Sequence, residues 1–170
     1  MTRMIAFLAA VFGGIAAFVS MRWLTRSREN TPWEEADRPG KTIDVDGVAI
    51  HYVESAPPAR SRGNVPAIVM VHGFGGHTFS YRYQLAEFGK DYRCVALDLK
   101  GFGYSQRSPS GDYSISEQAR LVLRFMDALG IDRATLIGHS LGGEVVMRAA
   151  ATAPERVERL VLAASVPGDR

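Results

Sequence analysis

A single cysteine, Cys94, leaves this chain no means of forming an intrachain disulfide or a cysteine-based metal cluster. It lies in the apolar run Cys94-Val95-Ala96-Leu97, where a buried structural thiol is expected rather than a reactive one. Charge of one sign is equally scarce. The 170 residues carry a formal net charge of only +2 and no basic stripe interleaved with aromatics, which argues against nucleic acid as a partner. No internal repeat, low-complexity segment, cofactor motif or metal-ligand pattern is present, so neither cofactor nor metal is expected. Histidine is short where it matters. There are four, His51, His72, His77 and His139, and none lies further along the chain.

What is present begins with an apolar N-terminus. From Met4 to Met21 no residue is charged, and the run continues past Arg22 into Trp23 and Leu24. This approaches the roughly 20 residues that a bilayer-spanning helix needs. Arg22, Trp23, Arg26 and Arg28 suit an interfacial flank. A cleaved signal peptide is the rival reading, because Arg3 precedes the apolar core, but Ala17-Phe18-Val19 makes a poor cleavage site. The expectation is an uncleaved single-pass anchor over residues 1–25, contacting the membrane through residues 4–24. A polar linker follows over residues 26–41, and residues 42–170 form a globular domain. The positive-inside rule leans toward a cytoplasmic domain.

Within that domain, Thr42–Val45 and Val48–Glu54 flank Asp46-Gly47, a hairpin signal. Ala67–Val71, Arg93–Leu97, Ala134–Ile137 and Leu160–Ala164 read as short, continuous apolar strands. Phe79–Phe88 reads as a helix, and so does the segment behind Ser114-Ile115-Ser116-Glu117, which fits a capping box. Leu141–Ala153 is the third. Buried strands alternating with amphipathic helices predict an α/β fold: a mostly parallel sheet with helices on both faces, preceded by the apolar N-terminal helix.

Two loops at the carboxyl ends of these strands carry chemistry. In Gly138-His139-Ser140-Leu141-Gly142-Gly143 a serine sits between glycines where a strand becomes a helix, the context of a nucleophile elbow. In His72-Gly73-Phe74-Gly75-Gly76 the glycines let backbone N–H groups point into a shared cavity. Elbow mechanics give one oxyanion donor to Leu141, the residue after the nucleophile, and the other to the earlier loop. Phe74 is the expected second donor, with Gly75 the alternative.

These two motifs, with Asp98-Leu99-Lys100-Gly101-Phe102-Gly103-Tyr104-Ser105 between them, resemble the N-terminal half of an α/β-hydrolase-fold protein over roughly Ile43–Ala164. The resemblance implies that Ser140 is the nucleophile, that Phe74 and Leu141 are oxyanion donors, and that His72 shapes the loop. It implies a structural role for Asp98–Ser105. A serine at the elbow, where dehalogenase and epoxide-hydrolase relatives place aspartate, points to hydrolysis of carboxylic ester-type substrates, small-molecule or lipid-like. An inactive remnant or binding module, and a carbon–carbon hydrolase or haloperoxidase-like relative, are the alternatives.

The departure from that family is in the triad, whose chain order is serine, acid, histidine. No histidine follows Ser140. His51 reads as a partly exposed strand residue, His77 as loop surface, and His139 as the variable elbow position. Asp169 stands where a minority of these enzymes carry the acid, but a polar chain terminus is the plainer reading. Tyr81 and Tyr83 read as helix-surface aromatics, and Glu144 as a solvated carboxylate in a helix's first turn. The expectation is therefore the N-terminal part of a hydrolase, ending after about its sixth strand.

Overall fold

Short apolar runs bounded by turn residues pair into strands because each can bury both of its faces only inside a sheet. The computed structural model describes residues 17, 20, 21, 38–55, 65–108 and 111–165. The chain divides into a unit of residues 1–37, whose described residues are helical, and a unit of residues 38–170.

In the second unit, β1 (Lys41–Val45) and β2 (Val48–Glu54) form an antiparallel hairpin. Asp46 and Gly47 turn it with φ of 53° and 82°, the two positive angles of a type I′ turn. β3 (Ala67–Val71), β4 (Arg93–Leu97), β5 (Ala134–His139) and β6 (Val157–Ala163) follow. The sheet order is β1-β2-β4-β3-β5-β6. β2 meets β4 antiparallel, and the β4-β3-β5-β6 part is parallel throughout. The expected Phe79–Phe88 helix starts instead as a 3₁₀ turn (Thr78–Tyr81) and continues as α1 (Arg82–Phe88). The other two helices are α2 (Ile115–Ala128) and α3 (Leu141–Thr152).

Strand alternation splits the core into two layers. Val69, Val71, Val95, Leu97 and Leu136 pack with Leu121, Val122, Phe125 and Met126 of α2 and with Val145 and Val146 of α3. On the other face Ile68, Met70, Cys94 and Ala96 pack with Tyr81 and Leu85. Helices thus cover both faces of the central strands. Burial pushes the Cys94 thiol up to about 11, against a weaker opposing hydrogen bond from Ser55, so it stays protonated and inert. β6 is the exception to this coverage. Leu160, Val161 and Leu162 are 39%, 44% and 43% exposed along the sheet edge.

The capping box is only half formed. Ser114 Oγ accepts from Glu117 N at 3.2 Å, but Ser114 N donates to Asp112 Oδ1 at 2.8 Å, and the Glu117 carboxylate turns to Arg120. Asp112, two residues upstream, closes a tighter local ring than Glu117 can, and the guanidinium is a charged competitor. Tyr81 also departs from expectation. It is buried and its hydroxyl donates to Val71 O at 2.9 Å, whereas Tyr83 is exposed. Among the described residues no helix is long and apolar enough to cross a membrane. The anchor expected over residues 4–24 falls, apart from residues 17, 20 and 21, outside the described residues, as does Asp169.

Candidate active site

β5 ends at His139, and the next residue, Ser140, adopts φ 50° and ψ −120° before α3 begins. A positive φ on a residue with a Cβ costs on the order of 1–3 kcal/mol and persists only where the surroundings over-determine it. Here the surroundings do. Ser140 N donates to Ala163 O at 3.0 Å, fastening the turn to β6, and Ser140 O accepts from Gly143 N at 2.8 Å. A Cβ on Gly138 would strike the main chain of Gly142 and Gly143, and one on Gly142 would strike the carbonyl oxygens of Val71 and His72. Glycine at these two positions lets the helix start hard against the end of β3.

The loop after β3 is the other half of the site. Gly76 N donates to Gly73 O at 3.0 Å, closing a tight turn in which Gly75 takes φ 68°, the glycine-favouring third position of a type II turn. A Cβ on Gly73 would lie 3.2 Å from Ser140 Cβ, so this glycine brings the loop directly beside the serine. Gly76 is engaged in closing the turn. The Phe74 and Gly75 amides have no hydrogen-bond acceptor among the described residues. The Leu141 amide opens α3 and has no carbonyl one turn back to receive it. Phe74 and Leu141 also line one cavity of about 450 Å³. The structure thus brings together all three residues singled out from the sequence, with the positive end of the α3 dipole behind them.

The histidines divide sharply. His72 is buried, with Nδ1 donating to Gly73 O at 2.7 Å and Nε2 accepting from Leu99 N at 3.1 Å. Both ring nitrogens are occupied in shaping the loop, and burial holds the imidazole below its ordinary range. His77 and His139 are exposed. His51 corrects the sequence reading: it is 2% exposed, with Nδ1 2.8 Å from Asp98 Oδ2 and Nε2 3.2 Å from Pro39 O. β2 is an inner strand, so its side chains are covered by neighbours that an edge position would lack.

Asp98 is the hub of this region, as the structural role of its loop implied. Its carboxylate accepts from His51 Nδ1, from Thr78 N at 2.6 Å and from Tyr104 N at 2.8 Å. Burial alone would raise its pKa, but these donors outweigh that and hold it below the usual carboxylate range. Asp98 and His72 both bind fewer protons folded than unfolded, so their contributions are complete at neutral pH. Stability is expected to fall as pH drops below the unfolded histidine value of about 6.5, and again below about 4 for Asp98. Thermal unfolding followed by circular dichroism across this range checks it; a melting temperature that rises on acidification would contradict it.

A second cavity, of about 460 Å³, lies at the opposite end of the strands against Pro66, Arg93, Gly130, Asp132 and Glu158. It has no serine, threonine, cysteine or histidine and no non-glycine residue with positive φ, so the elbow side holds the strained serine geometry.

Residues 66–169, more than half of the chain, match the alpha/beta hydrolase fold family. The chain belongs to this family. Among curated relatives it is 36% identical over 133 residues to the dihydrolipoyllysine-residue acetyltransferase component of the acetoin cleaving system of Cupriavidus necator, covering 78% of this chain and 34% of that one. Among solved structures it resembles a meta-cleavage product hydrolase of Pseudomonas fluorescens with a TM-score of 0.68 at 28% identity, covering 75% of this chain and 46% of that one. It also resembles a membrane phospholipase A described as a bacterial virulence factor, with a TM-score of 0.70 at 29% identity, covering 100% of this chain and 55% of that one. The chain thus spans between a third and about half of the length of these relatives.

Proposed function

We propose that the parent protein is a serine hydrolase in which Ser140 attacks the carbonyl carbon of a carboxylic ester-type substrate, small-molecule or lipid-like. The observation that carries this reading is the strained Ser140 backbone at φ 50°, set beside Gly73 with the Phe74 and Leu141 amides unengaged around it. As Ser140 Oγ bonds to the carbonyl carbon, the carbonyl π electrons move to its oxygen, and the two amides stabilise that oxyanion. One such donor is worth about 3–4 kcal/mol in the transition state. Collapse of the intermediate expels the alcohol, which takes up the proton removed from Ser140, and water then hydrolyses the acyl-enzyme.

No histidine hydrogen-bonds the Ser140 hydroxyl in this structure, and His77 and His139 are exposed. His72 and His51 are committed to internal hydrogen bonds. The reading therefore assigns the acid and the histidine to further sequence, in the serine–acid–histidine order of the fold. The fraction of its relatives that this chain spans supports that assignment. We further read residues 4–24 as an N-terminal membrane anchor. The likeness to a membrane phospholipase A supports it, as does the uncharged run itself.

A fluorophosphonate probe tests the nucleophile directly. The full 170-residue chain is expected to label slowly, without a base, at a residual rate set by the oxyanion donors, and Ser140→Ala is expected to abolish the label. Label that persists in Ser140→Ala would refute the assignment. A folded chain that takes no label at saturating probe would favour a non-catalytic binding module.

A further inference from the structure

The two buried histidines face opposite hydrogen-bonding demands. His72 lies between a carbonyl, Gly73 O, and an N–H, that of Leu99, so a neutral ring serves both partners. His51 faces acceptors on both sides, Asp98 Oδ2 at 2.8 Å from Nδ1 and Pro39 O at 3.2 Å from Nε2. An ionised carboxylate and a carbonyl have no hydrogen to donate, so each ring nitrogen needs one of its own. A neutral ring would aim a lone pair at one of these oxygens from a buried position. An imidazolium satisfies both, with a charge-assisted bond to Asp98.

The His51 backbone already joins β2 to the loop after β4 without the ring. His51 N donates to Ser105 Oγ at 2.8 Å, Ser105 Oγ donates to Asp98 O at 2.6 Å, and Asp98 N donates to His51 O at 2.9 Å. What the ring adds lies at its two ends. At the Nδ1 end is the Asp98 carboxylate, whose other oxygen takes the Thr78 amide two residues after Gly76. The next residue, Leu99, grips His72 at the start of the same loop, so positions 98 and 99 hold the His72–Gly76 loop from both of its ends. Burial raises the Asp98 carboxyl, and of the donors that outweigh it His51 contributes most. At the Nε2 end is the segment ahead of β1. Gly40 takes φ 128°, and a Cβ there would lie 2.8 Å from Nε2, so this glycine lets the segment run against the ring. Tyr104 packs edge-on at 5.1 Å and closes one side.

We propose that His51, protonated on both ring nitrogens, is a positioning residue of the Ser140 site. Its Nδ1–H fixes Asp98 against the loop bearing the Phe74 amide, and its Nε2–H pins the Pro39–Gly40 segment to the same point. Its bearing on the reaction rests on the reading of Ser140 as nucleophile; its two contacts do not.

The full ¹⁵N-labelled chain at neutral pH tests the ring first. A long-range ¹H–¹⁵N correlation is expected to find both nitrogens protonated at His51 and one at His72. A bare nitrogen at His51 would overturn the proposal. Two neutral isosteres then separate the ends of the ring. In His51→Asn the side-chain nitrogen stands near the place of Nδ1, and in His51→Gln near that of Nε2. His51→Gln is expected to move the Phe74 and Thr78 amide resonances. It is also expected to slow fluorophosphonate labelling about tenfold, short of the roughly 10²–10³ for a lost oxyanion donor. His51→Asn is expected to recover most of that rate and to move the Gly40 amide instead. Equal rates and equal shifts in the two variants would mean that the ring only fills space, and would overturn the positioning role. If either variant loses the native spectrum, the ring nitrogens of the unaltered chain decide alone. An unaltered chain that takes no label removes only the nucleophile reading, because the Phe74 and Thr78 amides still judge His51.

Discussion

Asp98→Ala is expected to remove roughly 5 kcal/mol of stability, as much as emptying a large side chain from the core. The carboxylate is fully buried and joins three segments of the chain. It takes His51 from β2, the Thr78 amide ahead of α1, and the Tyr104 amide from the loop after β4. Truncation takes the acceptor from two buried donors, His51 Nδ1 and Thr78 N, and from the part-buried Tyr104 amide, each costing about 1–3 kcal/mol. Against a typical domain stability of about 5–15 kcal/mol, such a loss leaves many domains mostly unfolded. Urea unfolding followed by circular dichroism measures it. Asp98→Asn keeps one carbonyl acceptor and is expected to fall between wild type and alanine. A loss below about 2 kcal/mol would show that the three donors find other partners and that Asp98 is not the hub.

Gly142→Ala is expected to damage the fold and the site together. The added methyl would meet the carbonyl oxygens of Val71 and His72, main-chain atoms at the end of β3 that cannot swing aside as a side chain can. Relief requires α3 to retreat from the sheet, which also carries the Leu141 amide away from the loop bearing Phe74. The stability loss is expected at or above the top of the ~1–3 kcal/mol range for overpacking. Fluorophosphonate labelling of the variant is expected to slow by about 10²–10³, the effect of losing one oxyanion donor. Gly130→Ala is the control. Its φ is 64° but a Cβ there has nothing within 4 Å, so only the left-handed backbone penalty of about 1 kcal/mol applies and labelling should not change. Equal effects from the two substitutions would mean that close approach is not what Gly142 provides.

The two strands Ala67–Val71 and Arg93–Leu97 were legible to the residue, because a five-residue apolar run between polar flanks has one way to bury itself. The elbow was legible for a related reason. Glycines spaced around Ser140, between a strand and a helix, report a backbone requirement that is local in the chain. The capping box at Ser114 was half misread because Asp112, only two residues upstream, competes for the same amide. His51 was misread more fully. Its neighbours Ile50 and Tyr52 are also buried, so the alternation that marks a half-exposed strand does not apply there.

The chain's own order of residues therefore determines the elements, the strained serine and the glycine-rich loop that faces it, since hydrophobic period and backbone conformation depend on near neighbours. Only the folded sheet decides which residues become partners at a distance. His51 and Asp98 are 47 positions apart and meet because β2 pairs with β4 rather than with β3, the next strand in the chain. The cavity lined by Phe74 and Leu141 likewise exists only once the loops after β3, β4 and β5 converge at one end of the sheet, with their polar groups turned on one another's backbone. Such convergence is set by strand order, and no local pattern of residues encodes strand order.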